Sequence, residues 1–323
     1  MPRLHRILFP TDFSACAEGA LAHAAGLAQR TGAELHVLHV AEPAMDPAEW
    51  VDGLGVTLDD VAADLDVPLP TFPNAGWEPG DLVPLTSAVE YAEKVAPAIL
   101  RYAERHDVDL VVMGTHGRRG LRRMLMGSVA EEVVRLAPCP VLTVGGREAG
   151  EASGVVRRVV APVDLSDPAA LAPRHAAALA DAYGADLDLL HVVDAATVPT
   201  GGAPVLGPVR VSAAEVQIRA RRALERLAAD LRAEFPAVGA VGVHVRLGSP
   251  AGDVVRFAEE RGADLVVVGS HGRTGMKRLL VWSVAERVVR SAPCPVLTVK
   301  RSGRSLLPPA LVRDGAEPAS VGT

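Results

Sequence analysis

Residues 109–128 read DLVVMGTHGRRGLRRMLMGS, and residues 264–283 read DLVVVGSHGRTGMKRLLVWS. Each opens on an apolar run with no polar alternation, the pattern of a strand covered on both faces of a parallel sheet. Each then turns through Gly-x-x-Gly, at Gly114 and Gly117 or at Gly269 and Gly272. Each closes on a serine, Ser128 or Ser283, that opens a helical pattern (SVAEEVVRLA in the first copy) stopped by a proline. Strand, glycine turn and helix make half of a βαβ unit, and the unit occurs twice.

The rest of the chain follows the same duplication. RILFPTDFS (6–14) matches RVVAPVDLS (158–166), and ELHVLHV (34–40) matches DLDLLHV (186–192). Asp12 and Asp164 are 152 residues apart, as are His39 and His191; Gly114 and Gly269 are 155 apart. The second copy therefore carries three extra residues in its middle. So long a period excludes a solenoid and reads as two tandem domains, 1–146 and 155–300. A polar, glycine-rich linker joins them at 147–154, and a Pro-, Gly- and Ser-rich stretch, 301–323, is expected to be a mobile tail.

Within each copy the pattern is strand, helix, strand, a variable middle, then strand, helix, strand. Ser14 stands where an N-cap belongs and Gly32 where a helix ends. In the second middle, 212–235 is an amphipathic helix, and GVHVRLGSPAGDVVRFAEE reads as strand, turn and helix. In the first, residues 43–84 hold seven prolines, and only DDVAADL has helical character there. TSAVEYA (86–92) aligns by offset with the strand VGVHVRL. Ser87-x-x-Glu90 also offers a capping box, but Pro97 would break a helix running on to His106, so a strand is preferred. The class is α/β, with two Rossmann-like, doubly wound domains and helices on both sheet faces.

Composition bounds the function. With 323 residues and 49% hydrophobic content, two cores can form; at 3% aromatics they must be built from Ala, Val and Leu. A net charge of −6 argues against a general nucleic-acid binder. No apolar run approaches the ~20 residues of a membrane span and Met1 opens no secretory leader, so a soluble cytoplasmic protein is expected. Cys16, Cys139 and Cys294 are too scattered for a disulfide framework or a zinc site, and no metal centre is expected.

In open α/β sheets ligands sit beyond the carboxyl ends of the strands, where strand order reverses. Pro10-Thr11-Asp12 marks one such end and Gly114 the other. Glycines let backbone approach a ligand, and the helix opening at Gly127-Ser128 presents unpaired N–H groups and a positive dipole end. Arg118, Arg119, Arg122 and Arg123 place charge on the same loop, or form a solvated face. A lone G-x-x-G is weak; the full G-x2-G-x9-G-S after a buried strand is specific to a polyphosphate cradle. No Walker G-x4-G-K-[ST], G-x-S-x-G or H-E-x-x-H occurs. His116 and His271 read as loop residues touching ribose or solvent rather than catalysts. His39 and His191 read as packing or local hydrogen-bonding residues.

On PTDFS, the G-x2-G-x9-G-S motif and the terminal CPVLTV, the chain resembles the universal stress protein family in a tandem form, over nearly its whole length. The resemblance implies five parallel strands per domain in the order 3-2-1-4-5. It implies an ATP-binding branch in which Pro10, Thr11, Asp12 and Val40 frame the nucleoside. Met113, Gly114, Gly117, Arg118, Gly127, Ser128 and Val129 would then hold ribose and phosphates, with Mg²⁺ carried by the phosphates and water. It also implies pairing of last strands about a two-fold, here 140–144 with 295–299, with further homo-oligomers open. The second copy keeps Asp164, Val192, Gly269, Gly272 and Ser283 but has Trp282 where the first has Gly127, so a lost or weakened second site is expected. The implied function is nucleotide-dependent regulation in stress response, with no catalytic residue assigned. A nucleotide-independent scaffold and a slow ATPase stand as alternatives.

Overall fold

The computed structural model describes residues 2–41, 83–115, 126–145, 155–165, 171–195, 212–270, 281–300 and 303–312. The chain divides into two units. The first comprises Arg3–Val155 with Ser302–Leu306, and the second Val156–Arg301 with Met1–Pro2 and Leu307–Thr323.

In the first unit the elements are β1 (Arg6–Thr11), α1 (Ala15–Thr31), β2 (Glu34–Ala41), β3 (Leu85–Tyr91), α2 (Val95–Arg105), β4 (Leu110–Gly114), α3 (Ser128–Leu136) and β5 (Val141–Val144). The strands lie in the order β3-β2-β1-β4-β5, all pairs parallel. The second unit repeats this with β6 (Arg158–Pro162), α4 (Leu171–Tyr183), β7 (Asp186–Asp194), α5 (Ala213–Glu234), β8 (Val241–Gly248), α6 (Pro250–Arg261), β9 (Leu265–Gly269), α7 (Val281–Ser291) and β10 (Val296–Val299). Its order is β8-β7-β6-β9-β10, again parallel, and a short α8 (Pro309–Val312) follows. The preference for a strand at 86–92 holds: Leu35 to Ala41 pair with Leu85 to Tyr91.

The central strands are buried through their middles, as continuous apolar runs require. Ile7, Leu8, Val111, Val112, Val159, Val160, Val266 and Val267 are wholly inaccessible. Local chemistry sets the helix ends. Ser14 caps α1 by accepting from the Ala17 N–H at 3.3 Å, and Gly32 closes it at φ 70°. Ser212 caps α5 through the Glu215 N–H at 3.1 Å. Cys139 and Cys294 are buried and form no disulfide. Among the described residues no helix is long and apolar enough to cross a membrane.

Residues 303–307 lie inside the stretch read from sequence as a mobile tail, yet here they are tied down. Gly303 takes φ 103°, and a Cβ there would stand 2.3 Å from the Pro138 carbonyl oxygen. The Arg304 N–H donates to that oxygen at 2.8 Å. The Arg304 guanidinium reaches the carbonyls of Val108 at 3.2 Å and Ala103 at 3.3 Å, and pairs with Asp107. The Leu306 carbonyl accepts from the Arg3 N–H at 2.7 Å, and the Leu306 side chain is fully buried. The Pro, Gly and Ser of this stretch thus include a turn that only glycine can make.

The two units differ at the amino ends of their strands. In the first, buried His36 meets the Tyr102 hydroxyl through Nδ1 at 2.9 Å and Glu34 through Nε2 at 3.3 Å, while His106 stacks on Tyr102. Burial lowers the His36 pKa against the opposing pull of Glu34. The corresponding positions of the second unit carry Asp188, Phe257 and Arg261. Asp188 is 2% exposed and accepts from Arg158 at 3.1 Å, Arg261 at 3.0 and 3.3 Å and His244 at 2.8 Å. Burial raises its pKa, but the bonds from Arg261, His244 and Arg158 outweigh that and keep it low.

One buried histidine sets an acid limit. His175 on α4 is 1% exposed, and its Nδ1–H donates to the Leu171 carbonyl at 2.8 Å. Burial holds the ring neutral, its pKa pushed down from 6.5 to about 4. The unfolded chain therefore binds this proton first, and stability is lost as pH falls from 6.5 to about 4, by about 3 kcal/mol in all. Denaturant titrations across that window should show a slope of about one proton, absent in His175→Leu; an unchanged slope in the variant would refute the assignment.

Candidate functional site

The strand order reverses between β1 and β4, because the chain runs outward through β2 and β3 before returning to the other side of β1. The site lies at the carboxyl ends of these strands.

β1 ends in a tight polar turn. Asp12 Oδ1 accepts from the Ser14 N–H at 3.1 Å, and Thr11 Oγ1 accepts from the Phe13 N–H at 3.0 Å. Between them Phe13 adopts φ 57°, a left-handed conformation costing a non-glycine residue on the order of 1 kcal/mol. Leu165 adopts φ 56° at the same place in the second unit. Both turns are also held from strand two. His39 Nδ1 lies 2.8 Å from the Thr11 carbonyl oxygen, and His191 Nδ1 lies 2.7 Å from that of Val163. The histidines are 5% and 8% exposed. The Phe13 ring packs on His39 with centroids 4.9 Å apart.

On the other side of the switch point, the Thr115 N–H donates to Val144 O at 3.0 Å as β4 ends. The chain returns at Gly127, whose N–H donates to Thr115 O at 2.8 Å, so the glycine loop is closed by one backbone bond across its base. α3 then starts at Ser128 with Gly127 as its N-cap, at φ −64° and ψ 148°, and no side chain caps it. The N–H groups of its first turn, Ser128 to Ala130, have no intrahelical acceptor and form the positive end of the helix.

The two glycines differ in purpose. A Cβ at Gly114 would meet Cys16 Sγ at 2.9 Å and the Cys16 carbonyl oxygen at 3.0 Å. The first turn of α1 packs directly on Gly114, so this glycine serves the fold as well as any ligand. Among the described residues a Cβ at Gly127 would meet Thr115 O, at 3.3 Å, and its backbone angles suit any residue.

The expected residues fall as follows. Pro10, Val40 and Met113 are buried, Thr11, Asp12, Gly114, Gly127 and Val129 are half-buried, and Ser128 is exposed. Register places Thr11 beside His39, one residue before Val40, so the β1 turn and the end of β2 adjoin. Gly117 and Arg118 lie outside the described residues, as do His116, Arg119, Arg122, Arg123, Gly272 and His271. In the second unit Asp164, Val192 and Gly269 stand at the matching strand ends. Ser283 lies within α7, whose described residues run from Val281, so Trp282 stands in helix where Gly127 precedes one. Among the described residues no three His, Cys, Asp or Glu side chains gather to hold a metal ion. Sequence reasoning missed the strand-two histidines as part of the site. The only signal was that both strand-two segments end in His-Val.

A model of the universal stress protein family matches residues 3–145 and, separately, residues 156–300. The chain belongs to the universal stress protein family. A universal stress protein of Methanocaldococcus jannaschii is 35% identical over 147 residues, 45% of this chain and 82% of the relative. One from Mycolicibacterium smegmatis is 35% identical over 193 residues, 59% of this chain and 61% of the relative. The crystal structure of a universal stress protein from Archaeoglobus fulgidus matches with a TM-score of 0.62 at 21% identity, covering 92% of this chain and 98% of that one. That likeness, at such identity, is one of fold, and it extends across both repeats of this universal stress protein.

Proposed function

We propose that this universal stress protein binds an adenine nucleotide, ATP, in its first repeat and serves as a stress-response regulator rather than an enzyme. The observation that carries the reading is the start of α3. It is an uncapped helix N-terminus on Gly127, at the switch point, beside a β1 turn that presents Asp12. Backbone N–H groups and a dipole end suit the phosphates. Asp12 suits a hydrogen bond to the nucleoside, with Val40 as an apolar neighbour. Mg²⁺ would travel with the phosphates and water, with no dedicated carboxylate cage. In the second repeat Trp282 replaces Gly127 and lies within α7, so occupancy there would be lost or weakened.

Calorimetric titration with ATP tests this. One equivalent per chain is expected. Gly127→Trp should weaken binding at least tenfold while leaving the unfolding midpoint close to wild type, because the backbone angles at 127 tolerate a side chain. Trp282→Gly should add a second equivalent. No heat with the wild-type chain, and no nucleotide found by mass after native purification, would favour a nucleotide-independent scaffold. Two equivalents in the wild type would refute the asymmetry.

A further inference from the structure

We infer that His39 is a positioning residue for the nucleotide loop: its Nδ1–H fixes the Thr11–Asp12 peptide plane and so aims Asp12, and His191 does the same for Asp164. The role for His39 rests on the nucleotide reading above; the mechanical part stands on geometry found twice.

A carbonyl oxygen can only accept, so at 2.8 Å from Thr11 O the His39 Nδ1 must carry the hydrogen. This fixes the tautomer, with the proton on Nδ1 in the neutral ring. The Thr11 carbonyl shares its peptide plane with the Asp12 N–H. Holding that oxygen removes the freedom of the plane to rotate just before Asp12. The next residue, Phe13, sits at φ 57°, a conformation that persists only when its surroundings over-determine it. Three restraints do so: the Asp12 carboxylate on the Ser14 N–H, the Thr11 hydroxyl on the Phe13 N–H, and His39 on Thr11 O. The first two lie within the turn and would move with it. His39 ties it to a neighbouring strand, from a buried position in register with Thr11.

The second unit is an internal control. It has Val163 for Thr11 and Leu165 for Phe13, so neither the Thr11 hydroxyl bond nor the ring contact can form there. The histidine bond survives at 2.7 Å, and the following left-handed residue survives at φ 56°. The two turns share the histidine bond, and in sequence the proline, the aspartate and the serine.

The test compares His39→Asn, which keeps an N–H near the Nδ1 position, with His39→Gln and His39→Leu, which do not. Hydrogen exchange of the amides at 12–14 should quicken about tenfold in the Leu and Gln variants and return near wild type in Asn. Exchange in β4 and β5 should stay unchanged in all three, which separates a loosened turn from a loosened domain. ATP affinity should follow the same order, with about a tenfold loss. Equal behaviour of Asn and Leu would overturn the proposal. If His39→Leu fails to fold, the matched pair His191→Asn and His191→Leu gives the same comparison in the second unit. Long-range proton–nitrogen correlation on the wild-type chain reads the tautomer directly, and a proton on Nε2 alone would overturn the proposal. If exchange separates Asn from Leu while no variant binds ATP, the positioning role stands and the nucleotide reading falls.

Discussion

Gly114→Val is expected to destabilise the first unit rather than merely empty its ligand site. A valine adds three carbons where a single Cβ already stands 3.0 Å from the Cys16 carbonyl oxygen and 3.1 Å from its carbon. Those are backbone atoms in the first turn of α1, and the thiol beside them, at 2.9 Å, is the only neighbour free to rotate. Relief requires α1 to lift from β4, although Ile7, Leu8, Ala20 and Ala24 are packed with no exposure. Overpacking of this kind costs about 3 kcal/mol, and a backbone obstacle sits at the upper end. Denaturant unfolding should show the first unit destabilised by that amount and the second unchanged. A variant of wild-type stability that simply failed to bind ATP would refute this. The consequence for experiments is direct: loss of binding in Gly114→Val says little about phosphate contact, whereas Gly127→Trp isolates it.

A chain ending at Arg301 should lose about 2 kcal/mol of stability, shared between the first unit, which holds Leu306, and the second, which holds Leu307. Leu306 and Leu307 are 0% and 2% exposed, and burial of each side chain contributes about 2 kcal/mol. Arg304 adds three guanidinium bonds, each worth roughly 1 kcal/mol net. Against this, releasing five residues returns roughly 1 kcal/mol of backbone entropy apiece. The same reasoning sets a ceiling: Leu306→Ala cannot cost more than undocking the whole segment, so its penalty should not exceed that of the truncation. Gly303→Ala should approach the truncation, since it meets both a strained φ and the Pro138 carbonyl. Exchange at the end of α2 and at 138–141 should quicken in all three. A truncated chain with an unchanged midpoint would show that the docked segment contributes nothing.

How much of this was legible in the sequence follows from the range of each interaction. Ser14 and Gly32 announced helix ends because a cap is a bond within a few residues of itself. DLVVMG and DLVVVG announced central strands because double-sided burial leaves no polar alternation. The repeat offset carried β3 across the proline-rich gap by analogy with β8. Arg304 was invisible, since its partners at Ala103, Asp107 and Val108 lie almost two hundred positions away. Phe13 and Leu165 were invisible for another reason: left-handed backbone at a non-glycine residue is imposed by its surroundings. Gly114 was recognised as important but for only half of its purpose, because the helix that crowds it comes from 98 residues earlier. His39 was read as a packing or local hydrogen-bonding residue; its bond to Thr11 crosses to the neighbouring strand, and its place beside the ligand turn needed the parallel register.

The amino-end clusters carry a consequence for how such a chain can change over time. Similar tandem halves invite exchange of segments between copies. Moving β7 alone into the first half would place the Asp188 carboxylate opposite Tyr102 and His106, without the guanidinium of Arg261. Moving β2 alone into the second would set His36 against Arg158 and Arg261. The first hybrid buries a carboxylate stripped of Arg261 and His244, at a cost of several kcal/mol, and the second leaves two part-exposed guanidiniums without Asp188. The two halves are therefore no longer interchangeable parts, and each can be copied only as a whole.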